Sequence, residues 1–167
     1  HHVTTSPVIQ ATVPTLGDAC DTPGGPQLRV SGTIGGNVCT AATSGDSAST
    51  LFAYGALLDV ASVRGTRTIP IEEWYAGPGR SHKERDELLV KIRIPRSHYE
   101  GFTGYYFKYG KRNALEITTM GCCCLVKLAA DKSTIEDIRL AFGVAGPTPM
   151  RALAAEDAVR GLPVAEA

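Results

Sequence analysis

A pair of adjacent glycines, Gly35 and Gly36, lies in the segment 33–37 and could approach a phosphate closely. Glycines lack Cβ atoms, so they can adopt positive φ and expose their backbone N–H groups to an anion. Asn37 adds a side-chain amide, and Asp46, nine residues further on, supplies a carboxylate that can accept hydrogen bonds from sugar hydroxyls. These groups suit a nucleotide with a pyrophosphate and a polyol chain. The alternative interpretation is a plain turn, which is the commoner role of a Gly-Gly pair.

The elements around these residues follow from apolar patterns and turn residues. Residues 28–34 predict a strand that ends in the glycine turn, and a helix begins at Asp46 or Ser47, either of which can cap it. Residues 57–63 and 66–71 predict a hairpin, because both runs are rich in β-branched residues and only two residues separate them.

A strand over residues 88–94 is predicted from its alternation. Leu88, Val90, Ile92 and Ile94 fall on one face, which we expect to be buried. Leu89 falls on the opposite face beside charged residues, where an apolar side chain would be explained by a ligand packed against it.

The last third of the chain predicts an antiparallel sheet followed by a helix. A polar connection over 96–104 precedes three strands, and an alanine-rich helix then ends at a glycine and a proline. The strands cover 105–110, 118–128 and 135–144, and the helix covers 151–160.

Three contiguous cysteines, Cys122–Cys124, raise the alternative of a metal centre. Neighbouring residues in a strand point to opposite faces, so three in a row cannot converge on one ion. We therefore expect core residues and no metal site. The four histidines have no carboxylate at useful spacing and no nucleophile motif is present, so we expect no catalytic residue.

Composition excludes several classes of function. Lys plus Arg and Asp plus Glu both total 17, so no charge excess favours nucleic acid or an anionic membrane. No apolar run is long enough to span a bilayer. Unpaired cysteines fit a reducing compartment, and we expect a cytoplasmic location.

A series of segments in fixed order resembles the FAD-binding (medium) subunit of the xanthine dehydrogenase family of molybdenum hydroxylases. After residues 33–37 and Asp46 come GTRTIP, WYAGPGR, DELLVKIRIP, YFKYGKR and LAFGVAGPTPMR, which occupy 65–70, 74–80, 86–95, 106–112 and 140–151. The resemblance extends over nearly the whole chain.

The resemblance implies that FAD is the cofactor and assigns its contacts by position. The implied FAD-binding residues are Thr33, Ile34, Gly35, Gly36, Asn37, Asp46, Leu89 and Lys108. In this scheme Gly35, Gly36 and Asn37 bind phosphate through backbone and amide groups. Asp46 takes a hydroxyl, Leu89 packs against a ring and Lys108 places positive charge near the flavin.

The implied fold class is α+β. Residues 1–100 correspond to the second half of a PCMH-type FAD-binding domain, and residues 101–167 to part of an antiparallel-sheet-plus-helix C-terminal domain like that of the CO dehydrogenase flavoprotein. Family members also carry a first loop of the type Gly-Gly-Thr-Asp, which these 167 residues do not include. The expectation is a subunit truncated at both ends.

The function implied is electron transfer in an oxidoreductase. Electrons would pass from a [2Fe-2S] subunit, which receives them from a molybdenum-cofactor subunit, through FAD to NAD, most closely as in xanthine dehydrogenase. Two alternatives remain: an enzyme acting on an aldehyde, carbon monoxide, nicotinate or an aryl-CoA thioester, and a non-catalytic interaction fragment that binds no FAD.

Overall fold

Six short helices precede the first strand of the chain. The computed structural model describes residues 1–112 and 115–166 and shows a mixed α/β fold. The six helices are α1 (His2–Thr5), α2 (Pro7–Thr12), α3 (Pro14–Cys20), α4 (Pro26–Ser31), α5 (Ile34–Thr40) and α6 (Asp46–Ala53).

The strand predicted over residues 28–34 is wrong. Pro26 begins α4, where its fixed φ suits a first helical turn and its missing N–H costs nothing. After Gly32, Thr33 caps the next helix, α5. Gly35 and Gly36 are therefore helical, and neither has the positive φ expected of a glycine turn. Proline and the threonine cap outweigh the strand preference of the apolar residues between them.

Three antiparallel sheets follow. The first has the order β2-β1-β5, the second pairs β3 with β4, and the third has the order β6-β7-β8-β9. Their strands are β1 (Leu57–Ser62), β2 (Gly65–Pro70), β3 (Tyr75–Gly77), β4 (Arg80–Ser81), β5 (Leu88–Arg93), β6 (Phe102–Tyr109), β7 (Met120–Leu128), β8 (Ile135–Gly143) and β9 (Met150–Arg151). The helix α7 (Leu153–Val159) follows β9, and short 3-10 helices cover Ile71–Glu73, Arg96–His98 and Val164–Glu166. The predicted hairpin and the three later strands are confirmed.

The predicted faces of β5 are confirmed for Ile92 and Ile94 but wrong for Leu88, Leu89 and Val90, because the strand contains a bulge. Its register against β1 shifts between Asp59 and Val60, so Leu89 pairs with Val60 whereas Ile92 pairs with Leu58. Leu89 and Ile92 consequently lie partly buried against the core. Leu88 and Val90, expected inside, are 72% and 57% exposed. An extra residue in one strand exchanges its faces, and residue alternation alone does not reveal it.

Helix α6 lies at the centre of the core, and all eight of its residues are buried. It contacts α3 and α5 on one side and strands β7 and β8 on the other. One hydrophobic cluster therefore continues from Leu51 and Phe52 of α6 to Cys123 and Leu125 of β7. The expected cap at Asp46 or Ser47 is wrong, since Gly45 occupies the N-cap and Asp46 is the first helical residue.

Candidate functional site

The N-terminus of α5 presents two backbone amides that have no partner within the helix. The Thr33 hydroxyl caps the helix by accepting a hydrogen bond from the Gly36 N–H at 2.9 Å. The Asn37 N–H donates to the Thr33 carbonyl at 3.0 Å and starts the regular helical bonding. The amides of Ile34 and Gly35 precede the first intrahelical acceptor. Together with the helix dipole they provide donors suited to an anion.

A groove of about 560 Å³ adjoins this helix end. Its walls come from the start of the chain, from α4 and from α5. Its lining residues include Cys20, Pro23, Thr33, Ile34, Gly36, Asn37 and Ser47. Burial raises the pKa of the Cys20 thiol to about 12, so this cysteine is a neutral wall residue rather than a nucleophile.

Asn37 is held by a side chain from the neighbouring helix. Its Oδ1 accepts a hydrogen bond from the Ser47 hydroxyl at 2.7 Å. Ser47 is 3% exposed, which fixes the amide at the groove wall. The N–H₂ group is the donor end of this side chain and can serve an anionic partner.

Asp46 lies behind the groove and is bonded on both carboxylate oxygens. Oδ1 accepts from the hydroxyls of Tyr106, at 2.8 Å, and Thr118. Oδ2 accepts from the ammonium of Lys108 at 3.1 Å, and that ammonium also donates to the Thr22 carbonyl at 3.2 Å. Asp46 and Lys108 therefore form a largely buried ion pair, with 6% and 15% of their side chains exposed.

The structure brings the predicted residues together in three groups. Thr33, Ile34, Gly36 and Asn37 line the groove, whereas Gly35 is not among its lining residues. Asp46 and Lys108 pair with each other outside this lining. Leu89 lies on β5, a strand that contacts α5. Of the residues described, those lining the groove do not include Asp46, Leu89 or Lys108.

Sequence reasoning missed two residues of this site, Tyr106 and Thr118. Both are buried and both donate to Asp46. Tyr106 lies two residues before Lys108 on β6, and the alternation of a strand places both side chains on one face. The segment YFKYGKR therefore indicates that Tyr106 and Lys108 are neighbours. Thr118 precedes β7 in a loop, where no local pattern marks it.

The cysteines alternate across β7 as expected. Cys123 is fully buried, whereas Cys122 and Cys124 point to the other face and are partly exposed. Within residues 1–112 and 115–166, no three His, Cys, Asp or Glu side chains cluster as metal ligands.

Two family descriptions match consecutive parts of the chain. The FAD binding domain in molybdopterin dehydrogenase matches residues 1–97, and the CO dehydrogenase flavoprotein C-terminal domain matches residues 105–167. The chain therefore belongs to the family of FAD-binding subunits of molybdenum hydroxylases.

Individual relatives agree with this assignment. The xanthine dehydrogenase FAD-binding subunit of Escherichia coli O157:H7 is 40% identical over 157 residues, which cover 94% of this chain and 53% of the relative. The nicotinate dehydrogenase FAD-subunit of Eubacterium barkeri is 32% identical over 161 residues, covering 95% and 54%. The chain spans about half the length of the curated relatives it matches.

A solved structure shows the same fold. Carbon monoxide dehydrogenase from Hydrogenophaga pseudoflava, in a form lacking the Mo-pyranopterin moiety, superposes with a TM-score of 0.89 at 29% identity. The match covers 97% of this chain and 55% of the other. The expected α+β fold class is confirmed. Throughout the part of the chain that the structure describes, no helix is long and apolar enough to cross a membrane.

Proposed function

We propose that this chain binds FAD as part of an oxidoreductase subunit, with the FAD phosphates at the N-terminus of α5. The observation that carries this proposal is the capped N-terminus of α5, where Ile34 and Gly36 line the groove beside the Asn37 amide that Ser47 holds. Membership of a family of FAD-binding subunits supports it.

The residues present fit such a group in their donor chemistry. Backbone N–H groups, an amide N–H₂ and a helix N-terminus all favour a phosphate. A Cβ at Gly35 would meet no atom within 4 Å, so the surface beside this glycine is open.

Each residue has a distinct role in the proposed site. Thr33 caps the helix end, and Ile34 and Gly35 donate through their backbone N–H groups. Gly36 has no side chain and so leaves the groove wall unobstructed. Asn37 donates through its side-chain amide. FAD, when bound, supplies the electron-carrying chemistry.

The remaining predicted residues act from outside the groove. Leu89 offers an apolar surface to the ring system from β5. Lys108 supplies positive charge at the Thr22 side, and Asp46 orients that charge.

We further propose the organisation of the complete enzyme. Residues 1–100 would form the FAD-binding part and 101–167 the C-terminal part. Electrons would pass from a molybdenum-cofactor subunit and a [2Fe-2S] subunit through FAD to NAD, in a xanthine dehydrogenase of the cytoplasm. The 40% identity to a xanthine dehydrogenase subunit favours that substrate class over the aldehyde, carbon monoxide, nicotinate and aryl-CoA enzymes.

A second candidate is an interaction fragment that binds no FAD. One observation favours it: Asp46 and Lys108, both expected to contact FAD, already satisfy each other. Their ion pair would then serve packing alone.

Asn37→Asp separates these candidates when FAD is titrated into the 167-residue chain and flavin fluorescence is followed. Aspartate keeps an acceptor for Ser47 but removes the N–H₂ donors and places negative charge beside the phosphates. We expect FAD affinity to fall by at least about tenfold, the effect of losing one charge-assisted hydrogen bond. Gln27→Glu, the same change on an exposed residue of α4, is the matched control.

Each result has a defined meaning. Weaker binding for Asn37→Asp with unchanged binding for Gln27→Glu supports the site. Equal binding by Asn37→Asp and wild type excludes the α5 terminus as the phosphate site. A wild-type chain that binds no FAD at millimolar concentration selects the interaction fragment.

A further inference from the structure

Tyr106 and Thr118 bind the same oxygen of Asp46 and leave the other oxygen to Lys108. The three residues come from β6 and from the loop before β7, whereas Asp46 begins α6. Asp46, Tyr106 and Thr118 are each no more than 6% exposed. The carboxylate is therefore fixed by donors that solvent does not replace.

The two hydroxyls determine which way the carboxylate faces. Rotation about the terminal bond of an aspartate is broad, so one hydrogen bond would leave its orientation loose. Two donors on Oδ1 direct Oδ2 toward the Lys108 ammonium. Burial, reinforced by the charge of Asp46, raises the pKa of Tyr106, which keeps its phenol protonated as a donor.

Lys108 is in turn fixed next to the groove. Its ammonium donates to the carbonyl of Thr22, a residue between the groove-lining Cys20 and Pro23. The backbone leaves room for this arrangement at Gly121, where a Cβ would come within 3.1 Å of the Tyr106 hydroxyl.

We propose that Tyr106 and Thr118 are positioning residues of the FAD site, which fix the Asp46 carboxylate and thereby hold the Lys108 ammonium at the Thr22 side of the groove. This inference rests on the proposed FAD site. The C-terminal sheet thus determines where positive charge stands relative to a groove built entirely by the first half of the chain.

FAD titration of hydroxyl-deletion variants tests the proposal. Tyr106→Phe and Thr118→Val remove one donor each with almost no change of shape, and Thr118→Ser restores the hydroxyl. We expect both deletions to weaken FAD binding by up to about tenfold, the limit set by the free energy of the lost hydrogen bond to Asp46. We also expect them to change the visible circular dichroism of bound flavin. Thr118→Ser should return both readouts to wild type.

Tyr105→Phe is the matched control, because Tyr105 is the neighbouring tyrosine on β6 and is 68% exposed. All titrations are run at a temperature where far-UV circular dichroism shows every variant to be fully folded. A merely structural role would then leave affinity and the flavin spectrum unchanged in all variants, which would overturn the proposal.

A second measurement needs no FAD. The rate at which an N-hydroxysuccinimide ester acylates Lys108 is read by mass spectrometry, with the exposed Lys111 and Lys132 as internal standards. We expect at least about fivefold faster acylation in Tyr106→Phe and Thr118→Val, because a loosened Asp46 releases the ammonium. Equal rates in wild type and both variants would refute positioning even if FAD binds.

The two proposals fail in different ways. If Asn37→Asp weakens FAD binding whereas Tyr106→Phe does not, the FAD site stands and the positioning role is wrong. If Lys108 acylation accelerates but no variant alters FAD binding, the hydroxyls hold Lys108 and the proposed FAD site is wrong.

Discussion

Replacement of Gly35 by alanine is expected to stabilise the protein while weakening its FAD binding. Gly35 occupies the second position of α5, its φ is not positive, and a Cβ built there meets no atom within 4 Å. Alanine therefore fits the native backbone without strain. In a helix it is favoured over glycine by about 0.5–1 kcal/mol, chiefly because glycine loses more conformational freedom on folding.

The size of the effect can be converted into a melting temperature. For chains of 150–250 residues, 1 kcal/mol corresponds to roughly 2–4 °C. Gly35→Ala should therefore raise Tm by about 1–4 °C in a thermal melt. A methyl group at this position should also crowd a phosphate bound at the N-terminus of α5 and lower FAD affinity, measured by fluorescence titration.

Gly104→Ala is the matched comparison with the opposite expectation. Its Cβ would lie 2.3 Å from Leu125 Cδ2 and 2.7 Å from Thr15 Oγ1, so it overpacks the contact between α3 and the sheet. A loss of about 1–3 kcal/mol is typical of such insertions. The reasoning about Gly35 is refuted if Gly35→Ala lowers Tm, and its place in the phosphate site is refuted if the variant binds FAD like wild type. Gly36→Val is a poorer probe, because its Cβ would press on the Thr33 cap at 3.0 Å.

Two further predictions concern residues away from the groove. Cys123→Ala should cost about 1 kcal/mol, as other small buried truncations do, whereas Cys124→Ala should cost less; urea unfolding compares them, and bound zinc or iron lost from either variant would contradict the core assignment. Hydrogen bonds from Arg93 and Thr68 lower the pKa of Asp59 from 3.8 to about 2. The stability that ionised Asp59 contributes is present above pH 3.8 and is lost as the pH falls toward 2. Asp59→Asn should therefore make Tm less dependent on pH in that range. An unchanged acid slope would count against this pair.

The elements predicted correctly are those fixed by local sequence. The hairpin of β1 and β2 is determined by two β-branched runs around Arg64-Gly65, and β6, β7 and β8 are determined by long apolar runs between polar turns. In each case the decisive residues lie within a few positions of one another, so propensity and turn chemistry agree.

The elements predicted wrongly depend on signals that compete or are not local. Residues 28–34 carry strand formers, yet Pro26 and the Thr33 cap impose two helices. In β5, the bulge opposite Asp59 and Val60 arises from pairing with β1, and it turns Leu89 toward the core. Leu89 therefore has a reason to be apolar that requires no ligand, which weakens the sequence argument for that residue.

The candidate site also contains features that local sequence determines and features that depend on distant contacts. The segment 33–37 was identifiable because its donors lie within five residues, although their conformation is a capped helix rather than a glycine turn. Asp46 and Lys108, by contrast, are 62 residues apart, and the sequence predicts separate roles for them, yet they are ion-pair partners. Because a buried pair is close to neutral as a unit, it adds little net charge to the groove. Attraction for a phosphate must therefore come mainly from the α5 amides and Asn37, and the contribution of Lys108 depends on how Tyr106 and Thr118 orient the carboxylate that holds it.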